Sequence, residues 1–149
     1  MNDTIIEIIT GMLAPGIMIS ACGLLLLGMN NKYSLVVSRI RTLNYEFRAL
    51  DADNHTRKKS ILTQLPLLIR RMKMIRNAVW LYTIAIALYI FSIFSIGLFF
   101  FSGKTESISI ISFSFFILAL LSLLLGVVHA AKEVRLGYNI LSIETQDIL

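Results

Sequence analysis

Cysteine is almost missing from this chain: Cys22 is the only one in 149 residues. No intrachain disulfide can form, and no thiolate set can hold a metal. Histidine occurs twice, at His55 and His129, with no Cys or His partner at ligand spacing from either. His129, close to Lys132, Glu133 and Arg135, suits an interface anchor or a pH-sensing group. Proline also occurs twice, at Pro15 and Pro66, so little stands in the way of long helices. There is no glycine-rich phosphate loop, no serine in a nucleophile elbow and no pair of acids inside an apolar run. These absences argue against an enzyme, against a bound metal or cofactor and against a proton-relaying transporter.

Charge is the most telling absence. Residues 8–29, 78–101 and 108–131 contain no Asp, Glu, Lys or Arg, and each exceeds the roughly 20 residues that cross a bilayer as a helix. With 56% hydrophobic residues and a mean hydropathy of +0.76, the chain lies outside the range of soluble domains. It reads as one all-α membrane domain, residues 1–149, with three transmembrane helices over about 8–29, 78–101 and 108–131.

The charges that are present are segregated. Residues 30–77 hold 11 of the 14 Lys and Arg and only three acids, Glu46, Asp51 and Asp53. Basic segments beside spans stay on the cytoplasmic side. This places residues 30–77 and the tail, 132–149, inside, and the acidic N-terminus and residues 102–107 outside. The clusters "RKK" (57–59) and "RRMKMIR" (70–76) are dense enough to meet phosphates. The second directly precedes a span, which fits Arg70, Arg71, Lys73 and Arg76 to anionic lipid headgroups rather than to nucleic acid. Cys22 closes "ISAC", a lipoprotein-like box, but Asp3 and Glu7 occupy the place of the positive region that a signal peptide needs. Cys22 is therefore read as a small buried residue of an uncleaved helix.

Pro15 suits the first turn of a helix, so the main first helix is expected to start there, with residues 3–13 a short outer segment lying at the interface or tucked beside the bundle. From Pro15 to Asp51 no further proline occurs, and the helix should run on from the membrane into the cytoplasm. Apolar residues then recur at Met29, Tyr33, Val36, Ile40, Leu43, Phe47 and Leu50, and again at Ile61, Leu65, Leu68, Met72, Ile75 and Val79. This is heptad spacing. Residues 51–56, "DADNHT", supply turn and cap chemistry between the two seams, so 30–77 is expected to form an antiparallel cytoplasmic hairpin. Pro66 should bend or break its second helix, or the helix should start there. Val134, Tyr138, Leu141 and Ile148 suggest a further helix packed on that hairpin, weakened by Gly137 and frayed at its end.

The stretches "PGIMISACGLLLLGMNNKYSLVVSRIRTLNYEF", "RRMKMIRNAVWLYTIAIAL" and "KEVRLGYNIL" resemble a bacterial membrane family known as domain of unknown function 2721. The resemblance covers nearly the whole chain. It implies a small bacterial inner-membrane protein with three spans and a basic cytoplasmic loop, and it brings no catalytic residues.

Small residues recur every seven positions at Gly16, Gly23 and Asn30, and at Ala78, Ala85 and Ser92, with a further small step in "GVVHA" (126–130). Such faces let helices approach closely in lipid, and a bundle this small is expected to associate with copies of itself. At about 100° per residue, Ser20, Gly23, Leu24, Leu27, Asn31, Ser34 and Ser38 form one stripe of the first helix, opposite Met29, Val36, Ile40 and Phe47. Two function classes follow. In a homo-oligomeric channel, that stripe lines a path for ions or small solutes, and Leu24 and Leu27 form a hydrophobic constriction. In a non-conducting scaffold, the basic hairpin binds a cytoplasmic protein partner or anionic lipid.

Overall fold

The computed structural model describes residues 2–50, 54–102 and 106–146, and the side chains of 5–50, 54–102 and 106–137. Three helices account for nearly all of them: α1 (Asn2–Ala49), α2 (His55–Phe101) and α3 (Glu106–Gln146). All three are long and apolar enough to cross a membrane. At 48, 47 and 41 residues each also exceeds the roughly 20 residues that hydrocarbon needs, so part of every helix lies outside it in any membrane-spanning arrangement.

What is buried along each helix repeats by sevens. In α1 the buried positions are Pro15, Cys22, Met29, Val36 and Leu43; in α3 they include Ser112, Ala119, Gly126 and Glu133. In α2 one series is Ile61, Leu68, Ile75, Tyr82 and Tyr89, and a second is Gln64, Ala78, Ala85 and Ser92, with Arg71 half-buried in its remaining place. A seven-residue period keeps the same seam toward neighbouring helices turn after turn. The apolar seams expected at 29–50 and 61–79 therefore hold at their central positions, while Tyr33 is exposed.

The chain divides into two compact units. One comprises Met1–Leu27 and Val79–Gly126. Its core is Cys22, Ala85, Tyr89 and Ala119, all fully buried, with Met18, Ile86, Phe116 and Leu120 packed around them. Phe116 meets the Tyr89 ring edge-on at 5.7 Å between centroids. In lipid the solvent is as apolar as the side chains, so packing and polar contacts hold helices together. Here serines supply those contacts. The Ser92 hydroxyl donates to the Ser112 carbonyl and the Ser112 hydroxyl to the Ser92 carbonyl, each at 3.1 Å, and Ser122 donates to the Leu81 carbonyl at 2.8 Å. Each such bond contributes about 0.6 kcal/mol in a membrane. Gly126 lies against the Tyr82 ring, where a Cβ would fall 2.6 Å from Cε1.

The other unit comprises Gly28–Ala78 and Val127–Leu149. Met29, Val36 and Leu43 from α1 and Ile61, Leu68 and Ile75 from α2 are its buried apolar residues. Across the connection between these helices, Arg57 donates to both carboxylate oxygens of Glu46, at 2.7 and 3.1 Å. That bidentate bond holds the Glu46 carboxyl below its usual range, with the Arg57 and Arg39 charges acting in the same direction. Asn54 precedes the first turn of α2 and its carbonyl accepts from Lys58 N–H. Of the expected turn, residues 51–53 lie outside the described residues.

Three expectations are corrected. The helix does not begin at Pro15: α1 runs unbroken through it from Asn2. The turns ahead of Pro15 are held by tertiary contact, since Gly11 lies against Ile96 and Met12 reaches over Gly97. That packing offsets the roughly 3 kcal/mol of an interior proline. Likewise α2 neither breaks nor starts at Pro66. Pro66 and Leu62, whose carbonyl loses its partner, are both exposed, while Ile61 and Gln64 on the other side are buried and keep the first turns in place. Finally, the helix expected in the tail is the end of α3, which continues to Gln146, but its buried seam is not the expected one. Its buried residue is Glu133, whereas Val134 is 55% exposed. The rest of the expected tail seam, Tyr138, Leu141 and Ile148, lies outside the residues whose side chains are described.

Candidate functional site

The heptad series in α3 ends on a carboxylate. Glu133 stands seven residues after Gly126, and its side chain is 0% exposed. An unpaired carboxylate in such a place would cost several kcal/mol. Two cations meet it, one on each oxygen. Arg71 of α2 donates through Nε to Oε1 at 2.5 Å, and Lys32 of α1 donates through Nζ to Oε2 at 3.2 Å. The heptads place both donors: Lys32 lies three residues beyond buried Met29, and Arg71 three beyond buried Leu68. The cations remain partly open, at 40% for Lys32 and 29% for Arg71, as snorkelling side chains do.

Gly137, one turn after Glu133, completes the arrangement. A Cβ there would lie 3.2 Å from Arg71 Cζ, so the bare backbone leaves the guanidinium its room. Each of the three helices thus contributes one charged group to a single contact. With a cation on each oxygen, Glu133 is suited to fixing helix register. Sequence reading missed the trio: it gave Glu133 and Lys32 no contact of their own and placed Arg71 with the headgroup contacts. The signal was present in the seven-residue step from Gly126 to Glu133.

The stripe singled out on α1 is left uncovered by the rest of the chain. Ser20, Leu24, Leu27, Asn31, Ser34 and Ser38 are exposed, Leu24 to 72%, and Gly23 is half-buried. A Cβ at Gly16, Gly23 or Gly28 would find nothing within 4 Å. By contrast the second small series, Ala78, Ala85 and Ser92, is buried within the chain. Ser20 returns its hydroxyl to the Gly16 carbonyl at 3.4 Å. Of the basic group before the second uncharged window, Arg70, Lys73 and Arg76 are exposed, while Arg71 turns to Glu133. Among the described residues no three of His, Cys, Asp or Glu come together as a metal-binding group.

Three helices long and apolar enough to cross a membrane, α2 and α3 joined by serine bonds, fit a multi-pass α-helical membrane protein. Residues 12–143 match the family described as Protein of unknown function (DUF2721), and the chain belongs to that family. No curated protein and no solved structure matches it.

Proposed function

We propose that this chain is a small homo-oligomeric protein of the bacterial inner membrane, which conducts ions or small solutes along a path lined by α1. Its N-terminus faces outward. Residues 30–77 form a cytoplasmic helical hairpin, and the C-terminal tail is also cytoplasmic. The excess of Lys and Arg in 30–77 supports this orientation. One observation carries the channel reading: the stripe from Ser20 to Ser38 stays exposed on α1 while the heptad series from Pro15 to Leu43 is buried. A helix covered on one side and bare on the other, with three glycines where an added Cβ would meet nothing within 4 Å, is suited to a second copy of itself. Polar groups line the cytoplasmic half of the stripe, and Leu24 and Leu27 narrow it by dewetting. The protein carries out no catalysis and needs no cofactor in this reading.

The test is ion leak from proteoliposomes holding a verified oligomer. Leu27→Ser should raise the leak, and Leu124→Ser, on an exposed face of α3, should not. A second reading has its own support, since Arg70, Lys73 and Arg76 stand exposed on α2: a scaffold that binds anionic lipid or a cytoplasmic protein through its basic hairpin. Absence of leak from both variants, in oligomers of confirmed size, decides for the scaffold.

A further inference from the structure

A cavity of about 380 Å³ opens in the unit formed by Met1–Leu27 and Val79–Gly126. Its volume is at the lower end of the roughly 300–1,000 Å³ of small-molecule sites. Gly11 and Pro15 of α1 both line it. Pro15 has no N–H, so the Gly11 carbonyl, one turn earlier in the same unbroken helix, lacks its helical donor. A helical carbonyl points along the axis toward the residue one turn on, and Gly11 has only backbone to offer the lining. The wall between these two residues therefore carries a free acceptor. Inside an apolar span such a freed carbonyl has to find another donor.

The rest of the lining narrows what that donor is. Ser92 and Ser112 line the cavity, but each hydroxyl already donates to the other's backbone carbonyl at 3.1 Å. Glu7, also in the lining, is engaged in an interaction of its own. Among the described lining residues this leaves Ser109, which is exposed, with the remaining hydroxyl proton. A ligand whose polar group only accepts, such as a ketone, ether or ester, gains little from these walls. An ammonium brings a charge to a neutral acceptor, and a charge without a counterpart is costly in an apolar site. A neutral molecule with an O–H and an apolar body matches the wall on both counts. Phenols combine such a donor with a rigid ring, which loses little freedom on binding.

We propose that this cavity binds a small phenol, its hydroxyl donating to the Gly11 carbonyl and its body among the apolar lining residues. The site is independent of the conduction path. At about 100° per residue, Gly11 and Pro15 fall on the face of α1 opposite the Ser20 stripe.

Butylphenol and butylanisole, both para-substituted, test this directly, because they share ring and chain and only the phenol has an O–H. Equilibrium dialysis of the full chain in a neutral detergent, against protein-free micelles, should show saturable binding of one phenol per chain. The anisole should bind roughly three- to tenfold more weakly, which is the worth of one neutral hydrogen bond. Pro15→Ala returns an N–H to α1 and occupies the Gly11 carbonyl, while alanine favours the helix. The preference for the phenol should therefore vanish in that variant, and Ser109→Ala should keep it. Equal binding of the two compounds by the unaltered chain overturns the proposal, as does phenol uptake that never saturates. A preference that survives Pro15→Ala, or one lost in Ser109→Ala, also overturns it, since the hydroxyl is then held elsewhere. The comparison of the two compounds needs no variant, so a misfolded Pro15→Ala protein leaves the proposal fully testable.

Discussion

A methyl group added at Gly126 tests the packing of α2 on α3 at one atom. Built on the α3 backbone, the Cβ would stand 2.6 Å from Tyr82 Cε1, 2.8 Å from Cδ1 and 3.3 Å from Cζ. Carbon atoms rest at about 3.5–4.0 Å, so about 1 Å of separation has to be found. Tyr82 is 1% exposed and its ring has nowhere to swing, which leaves a shift of one helix against the other. Overpacking of this kind costs about 1–3 kcal/mol. The gain in helix propensity from Gly to Ala returns about 1 kcal/mol. With two ring atoms under 3 Å, the cost falls at the upper end, for a net loss of about 1–2 kcal/mol. The chain carries its own reporter in Cys22, buried in the same unit. Its reaction with a maleimide in detergent follows the opening of that unit, and Gly126→Ala should speed it roughly 5- to 30-fold. Gly16→Ala and Gly28→Ala, whose added carbons meet nothing, keep the propensity gain without the clash and should not speed the reaction. Tyr82→Leu removes the clashing atoms, so the Gly126→Ala/Tyr82→Leu pair should be more stable than the sum of its parts by about 1 kcal/mol or more. A wild-type labelling rate in Gly126→Ala, or an additive double mutant, would refute the packing described here.

The charged trio makes a second prediction: Arg71→Met leaves the buried Glu133 to Lys32 alone and should destabilise the protein by about 3–5 kcal/mol in detergent melts, with Glu133→Leu in the same chain restoring much of it. Melting unchanged in the single variant would mean that the carboxylate reaches water. A third concerns acid. Because Arg57 lowers the Glu46 pKa below 4.5 in the folded chain, the pair stabilises fully above that value and loses its contribution as pH falls through the lower folded value. Glu46→Gln should therefore flatten part of the acid limb of stability against pH, and an identical acid limb in wild type and variant would count against the bond. For orientation, single cysteines at Ser107 and His55 in a Cys22→Ser background can be labelled with an impermeant maleimide in intact cells. Position 107 should react and position 55 should not; the reverse pattern would invert the proposed topology.

How much of this was legible without coordinates varies along the chain. The three spans could be read because hydrocarbon excludes charge over a fixed thickness, which is a property of composition and needs no partner. The seams through Met29, Val36 and Leu43 and through Ile61, Leu68 and Ile75 could be read because a heptad is a one-dimensional signal. Among candidate site residues, the α1 stripe from Ser20 to Ser38 was visible as the complement of that seam. Its exposure followed from geometry of a single helix.

The remainder depended on what lies across the interface, which no local pattern encodes. Helix propensity alone starts α1 at Pro15 and interrupts α2 at Pro66, yet Met12 over Gly97, and Ile61 with Gln64 buried, hold both helices through. Hydrophobicity alone puts Val134 inside and Glu133 outside, and the structure has them the other way round. A carboxylate is buried there because Lys32 and Arg71 arrive from two other helices, 101 and 62 residues away in sequence. The need for glycine at positions 126 and 137 is likewise written in Tyr82 and Arg71. The sequence by itself determined which segments can live in lipid and which face α1 and the first half of α2 turn inward, since both follow from one chain meeting one solvent. Tertiary structure decided the proline-spanning helices, the buried charge and the glycine contacts, because each is stabilised only when distant side chains meet.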